Sequence, residues 1–212
     1  MAGKDLIPPE VVIEVARCTM GGIDCDLFGT PEGNRVIQAA WSKDRQDQTS
    51  DRFQVPTLPE GSRKRMLLAI PGSAALARDL SNHLLRAYRR GLVSEAIIWS
   101  GNSEVLALCP WMWDFPICLP FRRLAAQFWD DELEKCLRVS PSSWSPIVYL
   151  PRAGGASQFQ NSLARFHAAA SPYGRVVLDE WSGESRWHDC YQALVGRPYV
   201  NHGQDTSSSP GS

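Results

Sequence analysis

The segment Met66-Leu67-Leu68-Ala69-Ile70-Pro71-Gly72-Ser73 carries an apolar run into a Pro-Gly turn and then straight into an amphipathic stretch. In an α/β protein that junction is where a ligand is presented, because ligands bind beyond the carboxyl ends of sheet strands. Two other sets of residues have chemical potential. Asp24 and Asp26 sit in the short run Ile23-Asp24-Cys25-Asp26-Leu27-Phe28, and cations gather at Arg63-Lys64-Arg65, at Arg86, Arg89 and Arg90, and at Arg122-Arg123. The middle group also suits a helix carboxyl end, where the macrodipole favours cations without any ligand. Other chemistries find no pattern. Ser73 and Ser100-Gly101 lack an adjacent His-Asp arrangement, and Gly154-Gly155-Ala156-Ser157 lacks the Lys of a phosphate-cradling loop. Cys18, Cys25, Cys109, Cys118, Cys136 and Cys190 never fall at CxxC spacing, and no two histidines pair at ligand spacing. No structural metal is therefore expected, and the thiols are expected to be reduced and buried.

The elements that must position these residues come from an ordinary globular composition. With 212 residues, 43% apolar and 21% charged, the chain fits one domain with a sizeable core. Its net charge of −1 denies it a chain-wide electrostatic grip on nucleic acid, so such binding would need local clusters. No run is long and apolar enough to span a membrane, and the start Met1-Ala2-Gly3-Lys4-Asp5 leads to a Pro pair rather than a secretory core. The expected location is the cytoplasm.

Pro8-Pro9-Glu10 should open a helix over 10–20 that Gly21-Gly22 ends. A strand is expected over 23–28 and a helix over 32–40, where Val36, Ile37 and Ala40 share a face. Residues 42–62 are polar, carry Pro56, Pro59 and Gly61, and read as a long loop. Then follow a strand over 64–70, a helix over 74–90 with Leu76, Leu80, Leu84 and Tyr88 at every fourth position, and a strand over 93–99. A short helix over 103–108, strands over 115–119 and 146–150, a helix over 158–170, a strand over 175–178 and a helix over 186–194 complete the pattern. Strands alternating with helices imply a single α/β domain: a mostly parallel sheet with helices on both faces. Residues 1–200 form that domain, and the polar segment 201–212 should be a disordered tail. Trp99, Trp113 and Trp144, in or beside apolar strands, are expected in the core; Trp41, Trp181 and Trp187 keep more polar company and are better candidates for stacking on a base.

Several blocks, in order, resemble the phage and mobile-element family of DNA adenine-N6 methyltransferases. They are Gly22-Ile23-Asp24-Cys25-Asp26, Pro31-Glu32-Gly33-Asn34-Arg35-Val36-Ile37-Gln38-Ala39, Gly91-Leu92-Val93-Ser94-Glu95-Ala96-Ile97-Ile98, Trp113-Asp114-Phe115-Pro116-Ile117-Cys118 with Arg122-Arg123 behind it, and Ser145-Pro146-Ile147-Val148-Tyr149-Leu150. The resemblance implies a Rossmann-like fold, S-adenosylmethionine as cofactor, and methyl transfer to the exocyclic amine of an adenine flipped out of duplex DNA. It places the catalytic motif, Asn/Asp-Pro-Pro-aromatic in the family, at Ala69-Ile70-Pro71-Gly72. The side-chain acceptor has become a methyl group at Ala69; the Ile70 carbonyl remains as the second acceptor. By analogy with other sites, loss of one preorganised polar group costs on the order of 10²–10³ in rate.

The same resemblance assigns Asp24, Asp26, Phe28 and Asn34 to the cofactor: carboxylates for ribose hydroxyls or the sulfonium charge, and an aromatic ring beside adenine. Asp26 reads equally well as a turn cap, and Phe28 as core. Leu27 stands where family members often have Pro. Arg63, Lys64, Arg122 and Arg123 are the candidates for DNA contact. Two readings follow: a methyltransferase-like protein with impaired chemistry, or a non-catalytic accessory protein of a phage or plasmid that holds DNA or a host protein.

Overall fold

The computed structural model describes residues 6–29, 33, 36–41, 63–70, 73–130, 132–139, 143–152 and 156–177. Helix α1, Glu10–Met20, starts after Pro9 and stops where Gly21 takes the left-handed conformation at φ 70°. After β2, Cys25–Asp26, the chain reaches the two-residue strand β3, Ala40–Trp41. Strand β4, Arg65–Ile70, leads to α2, Ala74–Arg89, whose first turn is capped by the Ser73 hydroxyl accepting the Leu76 N–H at 3.3 Å. Strand β5, Glu95–Ser100, and helix α3, Val105–Leu108, follow. Further along the chain lie β6, Ile117–Pro120, β9, Ile147–Leu150, α4, Ala156–Ala170, and β10, Gly174–Val177.

The main sheet has the order β10-β6-β9-β5-β4-β2-β3. Alternation along its central strands divides the core in two. Met66, Leu68 and Ile70 of β4, with Ala96 and Ile98 of β5, meet Leu80, Leu84 and Tyr88 of α2. Leu67, Ala69, Ile97 and Trp99 face the other way, toward Val12, Val15 and Ala16 of α1 and Phe166 of α4. Helices therefore cover both faces, as the apolar runs imply. The sheet is mixed, however, and this corrects the mostly parallel expectation: β2 pairs with β3 and β4, and β4 with β5, in parallel, but β5 with β9, β6 with β9 and β6 with β10 pair antiparallel. The cause lies between β6 and β9. Instead of a crossover helix, the chain builds a hairpin of β7, Gln127–Asp130, and β8, Lys135–Arg138, so β9 re-enters in the opposite direction. With β1, Leu6–Ile7, this hairpin forms a second, three-stranded sheet.

Other expectations change in detail. Gly33, Val36 and Ile37 are helical, but Gln38 turns left-handed at φ 54° and Ala40 joins β3 instead of the expected helix, because the open edge of β2 offers pairing partners. Trp99 is core, with its indole N–H donated to Ser145 Oγ at 3.1 Å. Trp144 is half-buried and donates to the Pro120 carbonyl at 2.8 Å. Trp113, expected in the core, is 48% exposed on the short 3-10 turn before β6. Cys25, Cys109 and Cys118 are buried free thiols, whereas Cys18 is exposed, contrary to expectation. The loop over 42–62, the helix over 186–194, the tail over 201–212, Trp181 and Trp187 lie outside the described residues, as do Cys190 and the side chain of Trp41. Among the described residues no helix is long and apolar enough to cross a membrane.

Candidate functional site

From β2 the chain moves outward to β3 and then returns to place β4 on the other side of β2, so strand order reverses between β2 and β4. A reversal of this kind opens a crevice at the carboxyl ends of the flanking strands. Asp26 is level with Leu67, and the Leu27 N–H donates to the Leu67 carbonyl at 2.8 Å. Strand β4 then continues for three residues to Ile70, about 10 Å at the usual rise per residue, which leaves a step at the sheet edge.

Asp26, on the low side of the step, is buried at 3% exposure, and its Oδ1 accepts the Phe28 N–H at 3.2 Å. Phe28 is half-buried against the α2 side of the core. Asp24 is engaged differently. Its Oδ2 accepts the Arg65 backbone N–H at 2.9 Å and Nε–H at 3.1 Å, while Oδ1 accepts from the guanidinium at 2.7 Å. The same guanidinium donates to the carbonyls of Met20 and Gly21, so Arg65 ties the end of α1 and, through Asp24, the start of β2 to β4. Gly22 makes this possible: at φ 135° it lies where a Cβ would stand 2.8 Å from the Arg65 guanidinium. Between the two acids, burial and then the charges of Asp26 and Asp24 push the Cys25 thiol up to about 12. The Asp26 carboxylate at the end of β2 thus stands in a desolvated setting, while the charge of Asp24 is met by Arg65.

On the high side of the step, the Ala69 side chain is 3% exposed within the cluster beneath α1 and α4. Ile70 is fully buried on the opposite face, and its carbonyl accepts the Gly101 N–H at 2.9 Å. The surviving acceptor of the motif already has one partner; a carbonyl oxygen offers two lone pairs. Pro71, Gly72 and Asn34 lie outside the described residues. The described part of this region offers a buried carboxylate, Asp26, two residues before a half-buried aromatic ring, Phe28. Among the described residues no group of three or more His, Cys, Asp or Glu could hold a metal ion.

The cationic candidates separate. Arg63 and Lys64 are exposed and precede β4, so they occupy the opposite edge from the crevice, about 20 Å from Ile70 along the strand. Arg122 and Arg123 are exposed after β6. Both Ile117 of β6 and Ile98 of β5 are level with Val148 of β9, so β6 runs in the same direction as β5 and its exit loop lies on the crevice edge. The fold brings Arg138 and the amino end of α1 to these arginines, a neighbourhood that local sequence pattern does not mark. A signal of the hairpin that carries Arg138 is Asp130, whose Oδ1 accepts the N–H groups of Glu132 and Leu133 at 3.1 and 3.0 Å, a side-chain-built turn. Comparison of the chain with protein-family models, curated proteins and solved structures returns no match.

Proposed function

We propose that the chain is an S-adenosylmethionine-dependent DNA adenine-N6 methyltransferase-like protein, acting on duplex DNA in the cytoplasm, whose chemistry is impaired at the catalytic motif. One observation carries this reading: Asp26 and the Ala69-Ile70 segment occupy the two strands that flank the order reversal, where α/β sheets bind ligands. In this reading Asp26 accepts hydrogen bonds from ribose hydroxyls, Phe28 lies against the adenine, and the carboxylate charge at the end of β2 balances the sulfonium. When bound, the cofactor supplies an activated methyl group. The Ile70 carbonyl offers its remaining lone pair to the amine of a flipped adenine. Ala69 offers nothing, so the amine is held by one acceptor where the family uses two.

The burial of the Ala69 side chain in an apolar cluster favours a second reading, the non-catalytic accessory protein that uses the scaffold to hold DNA or a host protein. Calorimetric titration with S-adenosylmethionine, joined to tritiated methyl transfer onto unmethylated duplex DNA, separates the two. The first reading expects saturable cofactor binding with methyl incorporation far below that of an intact enzyme. Absence of cofactor binding would replace it with the second, and full turnover would overturn the claim of impairment.

A further inference from the structure

Where the small sheet meets the amino end of α1, a cavity of about 180 Å³ is lined by Arg122, Arg123 and Arg138, with Glu10, Val11 and Gln127 among its other walls. Among the described lining residues three are arginines and one, Glu10, is acidic. The Glu10 carboxylate meets Arg138 at 3.6 Å, but both side chains are about three-quarters exposed, so the pair is weak and open to exchange. Helix α1 adds to the positive character of the wall. Pro9 provides no side-chain cap, the Val12 and Ile13 N–H groups both turn back to the Pro9 carbonyl, and those of Glu10 and Val11 belong to the orphan donors of a first turn.

Next to the arginines stands Phe121, 75% exposed. Its backbone is pinned: the Phe121 N–H donates to the Tyr173 carbonyl at 3.0 Å, and the preceding Pro120 carbonyl accepts from Trp144 at 2.8 Å. A large apolar side chain is thereby held in solvent beside a cationic cavity, an arrangement that suits a polyanion with stacked aromatic faces better than a lone small anion. The loop lies three strands from β4 on the crevice edge, about 14 Å at the usual strand spacing, or four base-pair rises of about 3.4 Å.

We infer that this cavity holds a backbone phosphate of duplex DNA and that Phe121 packs against a base step beside it, four pairs from the nucleotide at the crevice. The inference deepens the DNA reading given above and rests on it. The test is fluorescence anisotropy of the full chain with a labelled duplex across about 50–200 mM salt. It compares Arg122→Ala/Arg123→Ala, Phe121→Ala and Phe121→Trp with Arg89→Ala/Arg90→Ala, which removes equal charge at the end of α2. The Arg122/Arg123 variant is expected to lower the salt slope by about 1–2 and weaken binding at every sequence. Phe121→Ala should weaken binding about tenfold at unchanged slope, with Phe121→Trp retaining it. The control pair should leave affinity and slope close to those of the unaltered chain. Failure of the unaltered chain to bind the duplex would defeat the DNA reading itself. Binding by the unaltered chain that the Arg122/Arg123 and Phe121 changes leave untouched would overturn this site alone. So would competition of inorganic phosphate for the cavity without any effect on the bound duplex.

Discussion

Asp24 and Asp26 look alike in the sequence, two acids flanking one cysteine, and the resemblance gives both to the cofactor. What distinguishes them is Arg65, 41 positions away, which takes both oxygens of Asp24, whereas Asp26 accepts the Phe28 N–H through Oδ1. A partner at that separation is invisible to local reading. Because both members of the pair are mostly buried, at 16% and 15% side-chain exposure, removing one strands the other: Arg65→Ala should lower stability by about 3 kcal/mol in urea titration. A stability change near zero would show the pair to be solvated. Position 69 was legible as the degenerate residue of the motif, but not as a core position. Ala69→Asn puts an amide among apolar neighbours, so it is expected to cost about 1–3 kcal/mol, read by the same titration, whatever it does for methyl transfer.

At the scale of elements, the strands with continuous apolar runs were the most legible. Strand β4 and helix α2 were expected within one or two residues of where they lie, because burial on both sheet faces and a four-residue repeat leave few alternatives. The two-residue strands β1 and β3 owe their existence to an open edge elsewhere in the fold, and no periodicity marks them. The packed elements also set the response to alkali. Burial pushes the thiols of Cys109, after α3, and Cys118, on β6, up to about 11, and that of Cys25, on β2, to about 12, from an ordinary value of 9.0. The unfolded chain gives up these protons first. Their contribution to stability is therefore complete below pH 9 and is lost as pH rises through 11 to 12. Thermal unfolding should show Tm falling steeply above pH 9, and Cys25→Ala should make that fall shallower.

Strand β5 carries the same effect on a carboxyl, at lower pH. Glu95 is 2% exposed, accepts from the Tyr149 hydroxyl and lies 3.5 Å from Arg165; burial raises its carboxyl above the ordinary value, with Tyr149 and Arg165 opposing. A raised carboxyl favours folding while protonated, so this contribution is present in acid and declines as pH rises through the folded value. Glu95→Gln keeps an acceptor for Tyr149 without a buried charge. It is expected to match or exceed the unaltered chain in stability at pH 7, whereas Glu95→Ala should fall below it, with denaturation midpoints as the readout.

For the whole molecule, the fold class followed from the alternation of strands and helices, but sheet direction did not. The direction of β9 depends on the hairpin that replaces a crossover helix, and the hairpin's short, partly exposed strands resemble loop in composition. That hairpin also brings Arg138 to Arg122 and Arg123, so a chain with a net charge of −1 still gathers local positive charge on the edge where the crevice opens. Methyl transfer by this chain requires that the ends of β2 and β4 accept a cationic nucleoside. Isothermal titration of S-adenosylmethionine into the full chain tests this most directly: saturable one-site binding that Asp26→Asn weakens at least tenfold is expected, and a titration of the unaltered chain that shows no binding would contradict it.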